Sequence, residues 1–483
     1  MVAIVGGGIA GLAAAFFLRD QPVDVVVLEG SSRLGGKLAV SEVAGVPVDA
    51  GAEALLARRP EGTDLICAVG LGGDLVLPGT TAARIWSRGV LRGLPARQMM
   101  GVPADLGDLG RSGVLSAAGL ARATREPELP ATARDGDVAV ASYIGARFGR
   151  EVVDRLVDPL LGGVYAGRSE ELSFDATLPA LAEAARTRVS LTEAAASLLP
   201  APRPGSGAGN GAARPAVFTT LAGGLGLLPD AVAAASGATV RTGVMVRELA
   251  RTEQGWRLTV GSAHAPEHLA ADAVIVAVPG RPASRLLTGV PGAAPAAAAL
   301  DTIAYASMAI ITLAYPRVAF PEPPDGSGYL VPAVDGHPVK AVTFSSVKWP
   351  HLQAQAPDLV IARCSVGRIG EESLLQRDDQ DLAAVAARDL AEATGVRGTA
   401  VDVRVTRWGG ALPQYTVGHR DRVAAIRASV ASQPGLAVCG AAYDGVGIPA
   451  CIATARQAAG QILASLRAPR PGVGAGAGWD GGQ

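Results

Sequence analysis

Near the start of the chain, "VAIVGGGIAGLAAAFFL" runs an apolar strand straight into a glycine loop and out into a helix, and this junction restricts the fold more than any other feature. Gly6, Gly8 and Gly11 form a G-x-G-x-x-G pattern. In such a loop the first glycine permits a tight turn, the second lets backbone approach a pyrophosphate, and the third lets the helix pack on the strand. The helix N-terminus then presents free N–H groups and a partial positive charge to the phosphates. A second apolar run, "VDVVVLE", ends in Glu29, eighteen residues after Gly11, where an acid can bind ribose hydroxyls. Residues 2–29 are therefore expected to form a βαβ unit that opens a Rossmann-like α/β domain.

The loop alone does not choose between NAD and FAD. "EGSSRLGGK" follows it, with Arg33, Gly35 and Gly36 close behind Glu29. An arginine there can hold phosphate charge, and paired glycines let backbone pass close to a cofactor. A second strand, glycine loop and helix recur in "GLAVCGAAYDGVGIPACIATARQAAGQIL" (435–463). That helix start could turn its dipole toward a flavin ring and stabilise negative charge on the reduced form. Two glycine loops, with R-x-G-G after the first, favour FAD.

The 483 residues are too many for one simple core. The nucleotide-binding domain is expected to be discontinuous, from segments 1–85, 217–282 and 405–467. Helical patterning fills 86–200, most clearly the amphipathic stretch 138–161. The Pro/Gly-rich stretch 201–216 reads as a flexible loop and 468–483 as a disordered tail. Between them, 283–404 carries strand patterns at 303–315, 328–334, 339–345 and 358–366, then a helix near 378–394. This suits a substrate-binding domain built on a mixed sheet.

The net charge of −1 argues against a general nucleic-acid binder. Of 43 basic residues, only Lys37, Lys340 and Lys348 are lysines. No apolar run reaches the ~18 uncharged residues of a membrane-spanning helix. A strand beginning at Val2 leaves no room for a signal peptide. The four cysteines (Cys67, Cys364, Cys439, Cys451) form no C-x-x-C pair and have no nearby histidine. Neither a metal nor a disulfide is expected, and a cytoplasmic location is.

Several further motifs carry a resemblance: "DAGAEALLARRP", "DPLLGGVYAG", "TLAGGLGLLPDAV", "GYLVP", "WGGALPQYTVGH" and "GAAYDGVGIPACIATARQAA". In this order, and with the two N-terminal motifs, the chain resembles the oxygen-dependent protoporphyrinogen/coproporphyrinogen oxidases of haem biosynthesis. The "LARRP" and "ALPQYTVGH" forms are most similar to the Gram-positive branch, whose members prefer coproporphyrinogen III. The resemblance implies an FAD-binding domain of the glutathione-reductase/amine-oxidase type, a mixed-sheet substrate domain and a helical domain. It implies FAD contacts at Gly6, Gly7, Gly8, Ile9, Ala10, Gly11, Glu29, Arg33, Gly36 and Lys37. Further implied contacts are Gly51, Ala52, Glu53 and Ala54, the backbone of Val246, and Ala441, Val446, Gly447 and Ile448 beside the flavin.

The implied reaction is a six-electron aromatisation of a porphyrinogen in three two-electron steps, with O2 as acceptor and hydrogen peroxide as product. The substrate's four propionates call for basic residues; Arg58, Arg59 and Arg168 are the candidates, with Lys340 behind them. Glu53 departs from some relatives acting on protoporphyrinogen, which place arginine there; an acid would repel a propionate and could instead lie near the cationic or pyrrolic centre. No catalytic side chain is assigned. His419 lies in a motif and has a minor claim; Tyr165 and Tyr443 read as packing residues. Some relatives dock on a bilayer through the helical domain, but no aromatic, lysine-rich face marks one here. A monomer and a homodimer both fit. Protoporphyrinogen oxidation is the alternative reaction. An FAD amine oxidase ranks below it, because aromatics make up only 4% of the chain and a cage around an amine needs them. A flavoprotein holding FAD for structure alone is the non-enzymatic alternative.

Overall fold

A computed structural model describes residues 1–132, 134–200 and 217–468. The loop expected at 201–216, and the tail expected at 468–483 apart from Ala468, lie outside them.

Val2–Val5 and Ala273–Val276 are buried along their whole length, as strands covered on both faces must be. They lie at the centre of a parallel sheet ordered Thr239–Arg241, Val25–Leu28, Val2–Val5, Ala273–Val276, Leu436–Val438. Val2 and Ile4 face a core shared with the helices Ile9–Leu18, Leu228–Ser236 and Ile448–Arg467. Ala3 and Val5 face the opposite core, built from an antiparallel meander (residues 246–271) and the helices Gly280–Thr288, Ala294–Asp301 and His419–Ala431. Period-two alternation along one strand thus serves two cores at once.

A second, mixed sheet has seven strands, ordered Asp402–Pro413, Tyr305–Pro316, Leu359–Val366, Val339–Phe344, Gly328–Leu330, Arg84–Ser87, Val90–Gly93. All neighbours are antiparallel except Gly328–Leu330 with Arg84–Ser87. The helix Asp379–Thr394 covers one face. The boundaries expected at 85/86 and 404/405 fall inside strands of this sheet. Hydrogen-bond partners distant in sequence decide where these strands belong, and local pattern does not carry that information.

The stretch 138–161 is not one helix. Val140–Phe148 ends at Gly149, whose φ of +92° breaks the helical path. Arg122 donates to the carbonyls of Arg147 (2.9 Å) and Ala146 (2.7 Å), satisfying the helix end. The chain then makes a wide turn at Val153–Val157 before Asp158–Tyr165. Pro159 lacks the N–H that a regular helix would need, and a widened turn accommodates that gap. Among the described residues no helix is long and apolar enough to cross a membrane, and no group of side chains could hold a metal ion.

Candidate functional site

At the first glycine loop, a Cβ on Gly11 would lie 1.9 Å from the Gly6 carbonyl oxygen, so helix and strand touch there without side chains. A Cβ on Gly8 would meet no protein atom within 4 Å, and one on Gly36 would approach only the Gly8 Cα, at 3.4 Å. Gly8 and Gly36 therefore face a common open space in front of Ile9 and Ala10, the first residues of Ile9–Leu18. The Glu29 carboxylate accepts from the N–H groups of Gly7 (2.7 Å) and Ser31 (2.8 Å), which fixes its direction and leaves lone pairs for hydroxyls.

Arg33 shapes its own loop. Its guanidinium donates to the carbonyls of Leu34 (3.0 Å), Leu38 (3.2 Å) and Gly36 (2.6 Å), folding its own loop so that Gly36 meets Gly8. The next turn is fastened to residues 51–54, since Ala52 N–H donates to the Lys37 carbonyl at 3.1 Å. Burial lowers the Lys37 pKa, while the nearby Cys451 thiol acts weakly the other way. Val246 is buried at the start of the meander, two residues beyond Val244, whose N–H donates to the Glu29 carbonyl (2.8 Å).

Glu53 is not a bare acid. Its carboxylate accepts from the Trp349 indole (2.5 Å), Lys348 (3.2 Å), the Ser345 hydroxyl (3.3 Å) and the Arg363 guanidinium. It is turned into the mixed sheet, where Arg363 and Lys348 offset its charge.

On the C-terminal side, Gly447 caps Ile448–Arg467, and Ala441 and Val446 lie in the loop before it. Tyr415 pins that loop: its hydroxyl donates to the Ala441 carbonyl (2.7 Å) and accepts from Gly445 N–H (2.8 Å). His419 stacks on Tyr415 at 3.8 Å and bonds the Tyr443 carbonyl through Nε2 at 3.0 Å. Burial pushes the His419 pKa down to about 4, so the imidazole is neutral and acts as a brace. Tyr165 packs 5.4 Å from Tyr415, and Tyr443 is buried in the core. Tyr415 and Arg363 escaped the sequence reading. Tyr415 sits inside the "ALPQYTVGH" motif, and Arg363 is a lone cation within an apolar strand; those were the available signals.

The model of the flavin containing amine oxidoreductase family matches residues 9–463. The coproporphyrinogen III oxidase of Mycobacterium tuberculosis is 39% identical over 472 residues, covering 96% of this chain and 98% of that protein. The Bacillus subtilis coproporphyrinogen III oxidase is 30% identical, with coverages of 96% and 98%. A solved structure from Exiguobacterium sp. 255-15, described as a candidate protoporphyrinogen oxidase, superposes with a TM-score of 0.82. It is 30% identical and is covered to 98%, against 96% of this chain. The chain belongs to the flavin-containing amine oxidoreductases.

FAD is the cofactor of this oxidoreductase, and the site suits it. No protein atom lies within 4 Å of a Cβ on Gly8, where a pyrophosphate would meet the helix start, and Glu29 has acceptor capacity for a ribose. Two helix N-termini, at Ile9 and Ile448, supply fixed partial positive charge.

The candidate propionate ligands separate. Arg58 is exposed and makes no hydrogen bond or ion pair among the described residues. Arg59 is paired with Glu61 at 2.7 Å, and Arg168 is tied to the Ile369 carbonyl at 3.3 Å. A Cβ on Gly62 would lie 3.3 Å from Pro449, so the turn carrying Arg58 and Arg59 sits near the start of Ile448–Arg467.

None of the three lysines is exposed. Lys340 is 3% exposed and donates to the Gly367 carbonyl at 2.9 Å. Burial, aided by Arg368, brings its pKa from 10.5 down to about 7. Between these values the unfolded chain holds a proton that the native state has released, so stability rises with pH. The melting temperature of the flavin oxidoreductase should therefore climb from pH 7 to pH 9, and Lys340→Met should flatten the climb. An identical slope in the variant would refute this.

Proposed function

We propose that this flavin oxidoreductase oxidises coproporphyrinogen III to coproporphyrin III in haem synthesis, with O2 as the electron acceptor and hydrogen peroxide as the second product. The end-to-end 39% identity to a coproporphyrinogen III oxidase carries the reading. FAD supplies hydride acceptance and its own reoxidation by O2.

In this reading the chain's own groups orient the partners. Gly6, Gly7, Gly8, Ile9, Ala10 and Gly11 cradle the pyrophosphate, Glu29 holds a ribose, and the Val246 backbone borders the adenine. Gly36, Lys37 and residues 51–54 pass along the cofactor, with Arg33 shaping their turn. Ala441, Val446, Gly447 and Ile448 border the flavin. Arg58 is the best placed side chain to grip a propionate, because Arg59 and Arg168 already have partners. The four free cysteines fit a reducing compartment, and we assign the reaction to the cytoplasm.

Aerobic incubation with coproporphyrinogen III and, separately, protoporphyrinogen IX tests the reaction. Porphyrin fluorescence and peroxide should appear faster with the coproporphyrinogen. Equal or reversed rates would move the assignment to the protoporphyrinogen. Arg58→Ala should raise KM for the tetracarboxylate by about three- to tenfold, the loss of one charge-assisted contact, and raise it less for the dicarboxylate. Equal effects on both substrates would take Arg58 out of the pocket.

A further inference from the structure

Arg363 stands in the strand Leu359–Val366, whose Val360, Ala362, Cys364 and Val366 face the core beneath Asp379–Thr394. Arg363 points the other way, as Ile361 does, toward residues 49–53. Its fork spans two acceptors on that segment, the Glu53 carboxylate and the Gly51 carbonyl, the latter at 2.7 Å. A third tie comes from the Trp408 indole, which donates to the Ala50 carbonyl at 2.9 Å.

The opposite side of this segment rests on the glycine turn. A Cβ on Gly51 would fall 2.0 Å from the Lys37 carbonyl oxygen, and Ala52 donates to that same oxygen. Gly36 precedes Lys37 and faces Gly8 across the open space. An unbroken run of contacts therefore links Arg363, in the mixed sheet, to the loop in front of Ile9–Leu18.

Glu53 joins two cations at this link. Arg363 and Lys348 both pair with Glu53, and Asp49, which accepts from the N–H groups of Leu225 and Gly226, both at 3.2 Å, lies near enough to Arg363 to interact with it. Arg363 and Glu53 are 7% and 9% exposed. Burying such a set adds little stability over apolar packing of equal volume, because desolvation offsets the attraction. What a planar fork adds is direction: it holds two acceptors at one fixed separation, which a compact ammonium cannot do.

We propose that Arg363 and Glu53 are positioning residues for FAD: from the mixed sheet they set the backbone of residues 51–54 against the cofactor. Neither residue acts on the substrate. The proposal rests on residues 51–54 bordering FAD, as read above, and it is independent of which porphyrinogen is oxidised.

Arg363→Lys tests it, because the charge is kept and the fork is lost. The FAD dissociation constant should rise about tenfold, measured by the fluorescence of released flavin. At saturating FAD, the visible circular dichroism of the bound flavin should also differ from wild type, which a loss of general stability would not produce. If Arg363→Lys does not fold, the isosteric Glu53→Gln carries the same two readouts. Wild-type affinity together with an unchanged flavin spectrum in the folded variant would overturn the proposal. So would weaker affinity with an unchanged spectrum at saturation. Neither measurement uses a porphyrinogen, so an unreactive wild type would sink the proposed reaction and leave this inference standing.

Discussion

Gly8→Ala is expected to give a chain that folds and stays colourless. Gly8 has φ −75° and ψ 173°, an extended conformation open to any residue. Its added methyl would touch no protein atom within 4 Å. The apoprotein should lose under ~1 kcal/mol, the difference between glycine and alanine as a helix cap. The methyl would, however, occupy the space facing the free N–H groups of Ile9–Leu18, where the pyrophosphate must come close. FAD affinity should fall on the order of a hundredfold or more, equivalent to roughly 2.7 kcal/mol. Gly11→Ala provides the contrast. Its methyl would collide with the Gly6 carbonyl oxygen, so strand and helix must part, with a cost of about 1–3 kcal/mol in the apoprotein as well as lost FAD. Apoprotein melting and FAD titration, run on both variants, separate the two effects. Normal FAD binding by Gly8→Ala would show that the phosphates lie elsewhere.

The largest loss of stability is expected at Glu126. Its carboxylate is 0% exposed and accepts from the Arg147 guanidinium, the Ser190 hydroxyl (2.7 Å) and the N–H groups of Leu191 (2.7 Å) and Thr192 (3.3 Å). Burial pushes the pKa of this carboxyl up, but these donors outweigh it and hold the group below its ordinary value. Glu126→Ala leaves Arg147, 1% exposed, without its counter-charge. The expected cost is about 3–5 kcal/mol. The double variant Glu126→Leu/Arg147→Met should recover much of that, since no buried charge is left alone. Chemical denaturation of the three proteins tests this; a double variant no more stable than Glu126→Ala would defeat it. Function is involved because the same core holds Tyr165 and Tyr415, and with Tyr415 the loop before Ile448–Arg467.

Features set by local chemistry could be read before any coordinates. The Val2–Val5 strand, the glycine loop and Glu29 follow one another in sequence, and each works on its immediate neighbours. The mixed-sheet strands could also be placed roughly, from their apolar alternation. What escaped depends on partners distant in sequence. Nothing near Glu53 announces that Arg363 and Lys348, about three hundred residues later, will neutralise it. Nothing beside Arg33 shows that its own loop carbonyls will take its donors. The break at Gly149 was visible as a glycine, but apolar periodicity runs through it and hides the change of direction. Tyr415 matters through two backbone atoms of another segment, which no residue pattern encodes.

The division of labour between the cations has a practical side. With no lysine exposed, the folded molecule offers an amine-directed reagent chiefly its N-terminal amino group, and Asp272 holds that at 2.6 Å. Arginine supplies all the other permanently charged side-chain cations and does not react. Brief acylation followed by mass measurement should therefore count fewer labels on the native enzyme than the four available on the unfolded chain. Lysine-specific proteolysis should likewise wait for opening. The protein carries its own tally of how often its interior meets solvent, with one mark beside the glycine turn and two in the mixed sheet and its flank.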